Sequence, residues 1–129
     1  MVAPIRLMIV DDDTMIRESW KALVATTNDI VTVSALPNAN SFVEQVLETR
    51  PDVVLLDLHM PGKNPLRALS QAISARPETR AVVYTALPDV TLRQLAVQAG
   101  AWSYADKLDD PGEVIEELRR VARTPSRTP

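Results

Sequence analysis

The chain has 129 residues, which gives room for one domain and excludes enzymes built from two catalytic lobes. Apolar residues make up 46% of it but aromatic residues only 4%, so it can bury an aliphatic core yet lacks the stacked aromatic platforms of single-strand nucleic-acid binders. Three glycines are too few for the phosphate loops of Walker-type ATPases or Rossmann enzymes, and a net charge of −3 gives no overall attraction for DNA.

The sequence also bears on the compartment. It contains no cysteine, which excludes disulfides and thiolate zinc sites and fits a reducing environment. Residues 1–6 lack the basic and apolar segments of a secretion signal, and no run approaches the ~20 apolar residues of a membrane span. We therefore expect a cytoplasmic protein that does not bind membranes.

Strand-length apolar runs alternate with segments of helical spacing along the chain. Residues 5–10 form the first run, which is rich in β-branched side chains and ends at three successive aspartates, as a buried strand ends in a polar loop. Further strands are predicted at residues 30–35, 53–56, 81–84 and 102–105. Between and after them, apolar residues recur every three or four positions, starting at Ile16, Phe42, Leu66, Leu92 and Val114, which predicts five helices.

The last helix has the clearest start. Asp110 is predicted as its N-cap, Pro111 as its first residue, and Glu113 as the side chain that reaches back in a capping box. Residues 124–129 have two prolines and no apolar periodicity. We expect one domain over residues 1–123, followed by a tail or the start of a linker at 124–129.

Five strands that alternate with five helices predict an α/β fold of parallel βαβ units. Strands this uniformly apolar are buried on both faces, so the sheet is expected to be doubly wound, with helices on each side. In such sheets the ligand site lies outside the carboxyl ends of the strands. The residues at those ends are therefore the candidates for function.

Acidic, hydroxyl and amino side chains follow four of the strands: Asp11 and Asp12, Asp57, Thr85, and Lys107. Carboxylates brought together repel one another, and a divalent cation such as Mg²⁺, which prefers hard oxygen ligands, relieves that repulsion. A hydroxyl and an ammonium nearby would bind phosphoryl oxygens, and a carboxylate can itself accept a phosphoryl group. The set predicts phosphoryl chemistry at this edge of the sheet.

Four segments resemble the signatures of the response-regulator receiver domain, namely residues 10–13, 55–62, 84–86 and 99–107. The resemblance runs over about residues 5–122 and implies a (βα)5, CheY-like or flavodoxin-like fold with strand order 2-1-3-4-5. It also implies a two-component signalling switch rather than an enzyme. Asp57 would accept a phosphoryl group from a phosphohistidine on a sensor histidine kinase or a phosphotransfer protein.

The resemblance implies roles for the surrounding residues too. The metal, Mg²⁺ or Mn²⁺, would be held by Asp11, Asp12, Asp57 and the backbone carbonyl of His59, with Asp12 a direct ligand. Thr85 and Lys107 would bind the phosphoryl oxygens. Tyr104 would swing inward and change the surface formed by the last two helices and the fifth strand. His59 and Leu87 would tune hydrolysis of the acyl phosphate.

Such a switch serves an output, which for this chain is expected to be transcription through a DNA-binding domain outside the sequence, with a homodimer formed on phosphorylation. Two alternatives stay open: a single-domain regulator or pseudo-receiver that acts by protein contacts, and a phosphatase of the haloacid-dehalogenase type. The phosphatase would use Asp11 as its nucleophile and leaves Asp57 without a role. Asp13 is interpreted as a helix N-cap rather than a metal ligand.

Three positions depart from the family pattern. Leu108 follows Lys107 where the family often has proline in a cis peptide. A cis bond before another residue costs roughly 2.5–4 kcal/mol, so we expect a trans peptide, which leaves the aim of the lysine open. Asn64 and Pro65 replace Asp-Gly, which predicts an altered loop. Ser103 stands where glycine is common, which predicts a more crowded fifth strand.

Overall fold

The computed structural model describes residues 3–60, 64–86 and 90–125. In this part of the chain five strands alternate with five helices. The elements are β1 Ile5–Val10, α1 Thr14–Ala25, β2 Ile30–Leu36, α2 Phe42–Thr49, β3 Val53–Asp57, α3 Pro65–Ala75, β4 Arg80–Thr85, α4 Val90–Gln98, β5 Ser103–Asp106 and α5 Pro111–Arg123. Each predicted strand is present, with ends that differ from the prediction by one residue at most.

The strands form one sheet in the order β2-β1-β3-β4-β5, and every neighbouring pair is parallel. The predicted fold class and strand order are confirmed. The order reverses at β1, where the chain moves first to β2 and then back to β3, so the ligand crevice of such a sheet lies at the carboxyl ends of β1 and β3.

Helices cover both faces of the sheet because the strands are apolar on both faces. Along β1, Leu7 and Ile9 pack with residues of α1 and α5, whereas Met8 and Val10 pack with residues of α2, α3 and α4. All four side chains are fully buried. This alternation with a period of two continues into the residues that follow each strand, and it decides which of them share a side of the sheet edge.

Three helices begin at side chains that cap them. Asp13 Oδ1 accepts hydrogen bonds from Met15 N at 2.8 Å and Ile16 N at 3.3 Å, which confirms its predicted role at the start of α1. The departure from the family pattern at Asn64 has a similar use, since its Oδ1 accepts from Leu66 N at 3.0 Å at the start of α3. The loop before it, residues 61–63, lies outside the described residues.

At α5 the prediction is half right. Asp110 is the N-cap and Pro111 the first residue, and Asp110 Oδ1 accepts a hydrogen bond from Gly112 N at 2.8 Å. The predicted capping box is wrong, because the Glu113 side chain is exposed and forms no bond back to the Asp110 amide. Water can satisfy that amide at an exposed helix start, so the reciprocal bond is not required.

Side chains of β4 and β5 help to fix α5 to the sheet. Arg80, the first residue of β4, lies 4.2 Å from the centre of the Trp102 ring and donates hydrogen bonds to Val121 O at 2.8 Å and to Thr124 O. Ser103 donates from its hydroxyl to the Glu117 carboxylate on α5. The extra side chain at position 103 therefore links β5 to α5.

α5 ends at Arg123. The division into a domain at residues 1–123 and a tail or linker at 124–129 stays a prediction. Among the residues that the structure describes, none of the helices combines the length and the apolar character needed to cross a bilayer.

Candidate functional site

The strand-end residues meet at one edge of the sheet. In the strand register, Asp57 on β3 lies beside Tyr84 on β4, and Thr85 lies beside Asp106 on β5. Ile9, Leu55, Tyr84 and Ala105 face the α1 and α5 side of the sheet. Counting by twos, Asp11, Asp57 and Lys107 fall on that same side.

Three carboxylates lie together at this edge. One oxygen from each of Asp11, Asp12 and Asp57 lies within 4.8 Å of the others. Asp11 and Asp57 are buried, at 0% and 1% exposure, whereas Asp12 is exposed on the loop after β1. Burial strengthens the repulsion between these groups, so the cluster can bind a cation of hard-oxygen preference.

Lys107 bridges the two buried carboxylates. Its Nζ lies 3.2 Å from Asp11 Oδ2 and 3.2 Å from Asp57 Oδ2. The described residues contain no cis peptide, so the bond to Leu108 is trans, as expected. The Leu108 side chain points to solvent, and the backbone bond from Lys107 N to Thr85 O at 3.0 Å continues the β4–β5 ladder. The ammonium therefore reaches the site without a proline after it.

Burial and charge shift the pKa of both members of this ion pair. Burial raises the pKa of the Asp57 carboxyl, and the Asp11 charge adds to the rise, against the hydrogen bond from His59 N and the charge of Lys107. Burial lowers the pKa of the Lys107 ammonium, but the charges of Asp57 and Asp11 outweigh it and leave that pKa raised. Lys107 thus stays charged.

His59 contributes a backbone contact at the site. Its N–H donates to Asp57 Oδ1 at 2.9 Å, which leaves Asp57 Oδ2 to face Lys107. The imidazole is exposed. The metal role of its carbonyl and the hydrolysis role of its side chain stay predictions. Leu87, the other residue predicted to tune hydrolysis, lies outside the described residues.

Thr85 and Tyr104 lie on neighbouring strands. Thr85 is buried at 1% exposure at the end of β4. Tyr104 on β5 is half-buried, with the Arg93 guanidinium of α4 4.3 Å from the centre of its ring. Its hydroxyl is buried and has no hydrogen-bond partner among the described residues. A buried hydroxyl without a hydrogen-bond partner raises the free energy of the fold, so a movement of Tyr104 that gives its hydroxyl a partner would be favourable.

Sequence reasoning missed one residue of the site, Tyr84. The Tyr84 hydroxyl donates a hydrogen bond to Asp11 Oδ2, and burial together with this bond raises the pKa of the phenol. Tyr84 was part of a recognised segment, but no role was predicted for it. Counting alternate positions along β4 could have found it, because Tyr84 and Asp57 point to the same side.

The chain is similar to known proteins over most of its length. The family described as "Response regulator receiver domain" matches residues 7–119. The chain is 32% identical over 111 residues to the "Uncharacterized transcriptional regulatory protein YhcZ" of Bacillus subtilis, covering 86% of this chain and 52% of that protein. It is 29% identical over 118 residues to the chemotaxis protein CheY of Thermotoga maritima, covering 92% of this chain and 98% of that protein.

A solved structure also resembles the chain over most of its length. The crystal structure of a LuxR-family two-component response regulator from an Aurantimonas species superposes with a TM-score of 0.86 and 26% identity, covering 93% of this chain and 86% of that one. The chain spans about half the length of several curated relatives, among them YhcZ, and nearly all of CheY.

Proposed function

The chain belongs to the response regulator receiver family, and from this premise we propose that Asp57 accepts the phosphoryl group of a phosphohistidine on a sensor histidine kinase or a phosphotransfer protein. The resemblance predicted from the four sequence segments is confirmed. Receiver domains are signalling switches rather than classical enzymes. The observation that carries the proposal is the bridge from Lys107 to the carboxylates of Asp57 and Asp11, both at 3.2 Å.

The chemistry needs an acceptor carboxylate and charge neutralisation beside it. In the proposed step an Asp57 oxygen attacks phosphorus, the P–N bond breaks, and the imidazole nitrogen keeps the electron pair. The His59 amide fixes one Asp57 oxygen, and Lys107 lies where negative charge increases. Phosphoryl transfer depends mostly on such positioning and charge stabilisation.

The acidic cluster supports a divalent metal. Among the described residues, one lysine forms ion pairs with two of its three carboxylates, which leaves an excess of negative charge that Mg²⁺ or Mn²⁺ would balance. We propose that Asp11, Asp12 and Asp57, with the His59 carbonyl, hold it. When bound, the cation would neutralise charge on the transferring phosphoryl group. Asp12 is the proposed direct ligand, since both Asp11 oxygens already accept hydrogen bonds.

The proposed switch follows from new charge at Asp57. Thr85 and Lys107 would bind the phosphoryl oxygens, and Tyr104 would then turn inward and alter the surface of α4, β5 and α5. The unpaired Tyr104 hydroxyl supports this step, because a partner inside the fold would lower its energy. His59 and Leu87 are proposed to tune hydrolysis of the acyl phosphate.

The output is proposed from the relatives. YhcZ is named a transcriptional regulatory protein, and this chain covers 52% of it. We propose that residues 1–123 are the receiver, that a linker starts at residue 124, that a DNA-binding domain follows, and that phosphorylation favours a homodimer in the cytoplasm. A single-domain regulator is the second candidate, supported by the 98% coverage of the Thermotoga CheY.

The phosphatase alternative loses its support. It left Asp57 without a role, whereas Asp57 lies in one cluster with Asp11 and Asp12. It would be favoured again if the chain hydrolysed a phosphate monoester and lost this activity in Asp11→Asn but not in Asp57→Asn.

The direct test is incubation with acetyl phosphate and Mg²⁺, followed by intact-mass measurement. The wild type should gain about 80 Da, the mass of one phosphoryl group, and Asp57→Asn should gain nothing. Asp13→Asn is the matched control and should gain the adduct, because asparagine also caps a helix and Asp13 lies outside the cluster. An adduct on Asp57→Asn would overturn the assignment, and no adduct on the intact wild type would favour the pseudo-receiver.

A further inference from the structure

Tyr84 carries a hydroxyl that the proposed function does not use. It lies on β4 at 2% exposure, and the hydroxyl donates to Asp11 Oδ2. A buried tyrosine needs a partner for its O–H, and the partner here is a carboxylate of the acidic cluster.

The ring of Tyr84 is held in place on two sides. The Trp20 ring of α1 meets it edge-on, with centroids 6.4 Å apart and planes at 87°. Lys107 Nζ lies 4.9 Å from its centroid. The Trp20 contact does not involve Lys107, so it can hold the ring, and with it the hydroxyl beside Asp11, when Lys107 moves.

Both carboxylate oxygens of Asp11 accept hydrogen bonds, and the bond from Tyr84 is one of them. Its Oδ1 accepts from Asp13 N at 2.9 Å, and its Oδ2 accepts from the Tyr84 hydroxyl and from Lys107 Nζ at 3.2 Å. Asp11 is completely buried, and a buried carboxylate left without a donor on one oxygen is strongly unfavourable. Lys107 can therefore leave Asp11 only if something else stays on Oδ2.

We propose that Tyr84 is a positioning residue whose hydroxyl holds Asp11 so that Lys107 is free to turn to the phosphoryl group on Asp57. This rests on the proposed function, in which Lys107 must serve the phosphoryl oxygens. Without the hydroxyl, Lys107 would be the only donor to Asp11 Oδ2 among the described residues, and it would be kept there.

The first measurement tests the contact and needs no phosphorylation. In metal-free buffer, Tyr84→Phe should lower the urea midpoint of unfolding, and it should lower it less in an Asp11→Asn background, where the acceptor is neutral and the bond weaker. An equal shift in both backgrounds would mean that the hydroxyl does not act through Asp11, which overturns the proposal.

The second measurement tests the role. At saturating Mg²⁺, Tyr84→Phe should be phosphorylated by acetyl phosphate about tenfold more slowly than wild type, since a hydrogen bond to a charged group is lost, while half-saturation by Mg²⁺ changes less than about twofold. Thr32→Val is the matched control. It also removes a buried hydroxyl, but one that has no partner among the described residues, so its phosphorylation rate should match the wild type.

The outcomes are distinguishable. An unchanged rate in Tyr84→Phe, with normal phosphorylation of wild type, would overturn the positioning role alone. A slower rate fully explained by weaker Mg²⁺ binding would also overturn it, because Asp11 would then act through the metal. A wild type that takes no phosphoryl group would overturn the role together with the proposed function, whatever the urea measurements show.

Discussion

Asp57 is placed where its own charge is unfavourable. It is buried next to Asp11, and its pKa is raised mainly because burial penalises the ionised form. The folded chain therefore binds a proton at Asp57 more tightly than the unfolded chain does. Stability from this group is present at low pH and is lost as pH rises from the ordinary value of 3.8 through the folded pKa.

Removing that charge should stabilise the metal-free protein. With a chelator at pH 7, Asp57→Asn is expected to unfold at a higher urea concentration than wild type, and the gain should shrink to nothing as pH falls below about 3.8. Lys107 keeps Asp11 as a partner in this variant. Asp13→Asn removes a charge outside the cluster and should give no such gain, and a gain that does not depend on pH would contradict the electrostatic explanation.

At the scale of elements, α5 is docked by charged side chains in addition to its apolar stripe. Asp29, in the turn before β2, accepts from Arg119 Nε at 2.9 Å and Nη2 at 3.0 Å, and from Arg123 at 2.8 Å. The hydrogen bond from Arg119 is the main reason that the pKa of Asp29 lies below its usual range. The stability from Asp29 is thus present above the unfolded pKa and is lost as pH falls through the lowered one.

We expect Asp29→Asn to lower the free energy of unfolding by about 1 kcal/mol at pH 7, with the loss vanishing in acid. Urea unfolding at several pH values measures it. Glu116→Gln is the control, because Glu116 also contacts Arg119 but is 70% exposed, and its loss should stay below about 0.5 kcal/mol. Equal losses in the two variants would show that the ion pairs of Asp29 with α5 stabilise the fold no more than a surface ion pair does.

The N-termini of the helices show which structural features can be predicted from neighbouring residues alone. Asp13, Asn64 and Asp110 all cap helices, because a short acceptor side chain before a helix bonds amides two or three residues away. The capping box at Glu113 failed because an exposed side chain can point to water instead. The local sequence pattern predicts hydrogen bonds between close neighbours in the chain. It predicts the contacts of a solvent-exposed side chain less well.

At the scale of the whole molecule, the fold and most of the site followed from the sequence. Apolar runs fixed the strands, and parallel topology brings their carboxyl ends to one edge, which places Asp57 and Lys107 together. Alternation along β4 could have placed Tyr84 on the Asp57 side of the sheet, but its hydroxyl contact with Asp11 did not follow, because that contact depends on the packing of the ring against Trp20. The reach of Lys107 past a trans peptide likewise depended on three-dimensional geometry.

The cluster of three carboxylates predicts that a divalent cation stabilises the whole fold. Mg²⁺ that binds only the folded chain at ten times its dissociation constant should add about 1.4 kcal/mol to the free energy of unfolding. Asp12→Asn should lose most of this gain, and Asp13→Asn should keep it, as measured by urea unfolding with and without Mg²⁺ at constant ionic strength. An equal gain in Asp12→Asn would argue against Asp12 as a ligand.

Arg80 and Thr85 are the two ends of β4. The contacts that hold the end of α5 therefore lie far from the acidic cluster. Arg80 ties the backbone at Val121 and Thr124 to the start of β4, whereas Thr85 lies at the end of β4, at the edge of the sheet that carries the acidic cluster. The two ends of this six-residue strand are about 17 Å apart at a rise of about 3.3 Å per residue. Thr124 is therefore held at the end of β4 opposite the acidic cluster, and if Asp57 is phosphorylated as proposed, the effect would have to cross the length of the domain to reach residue 124.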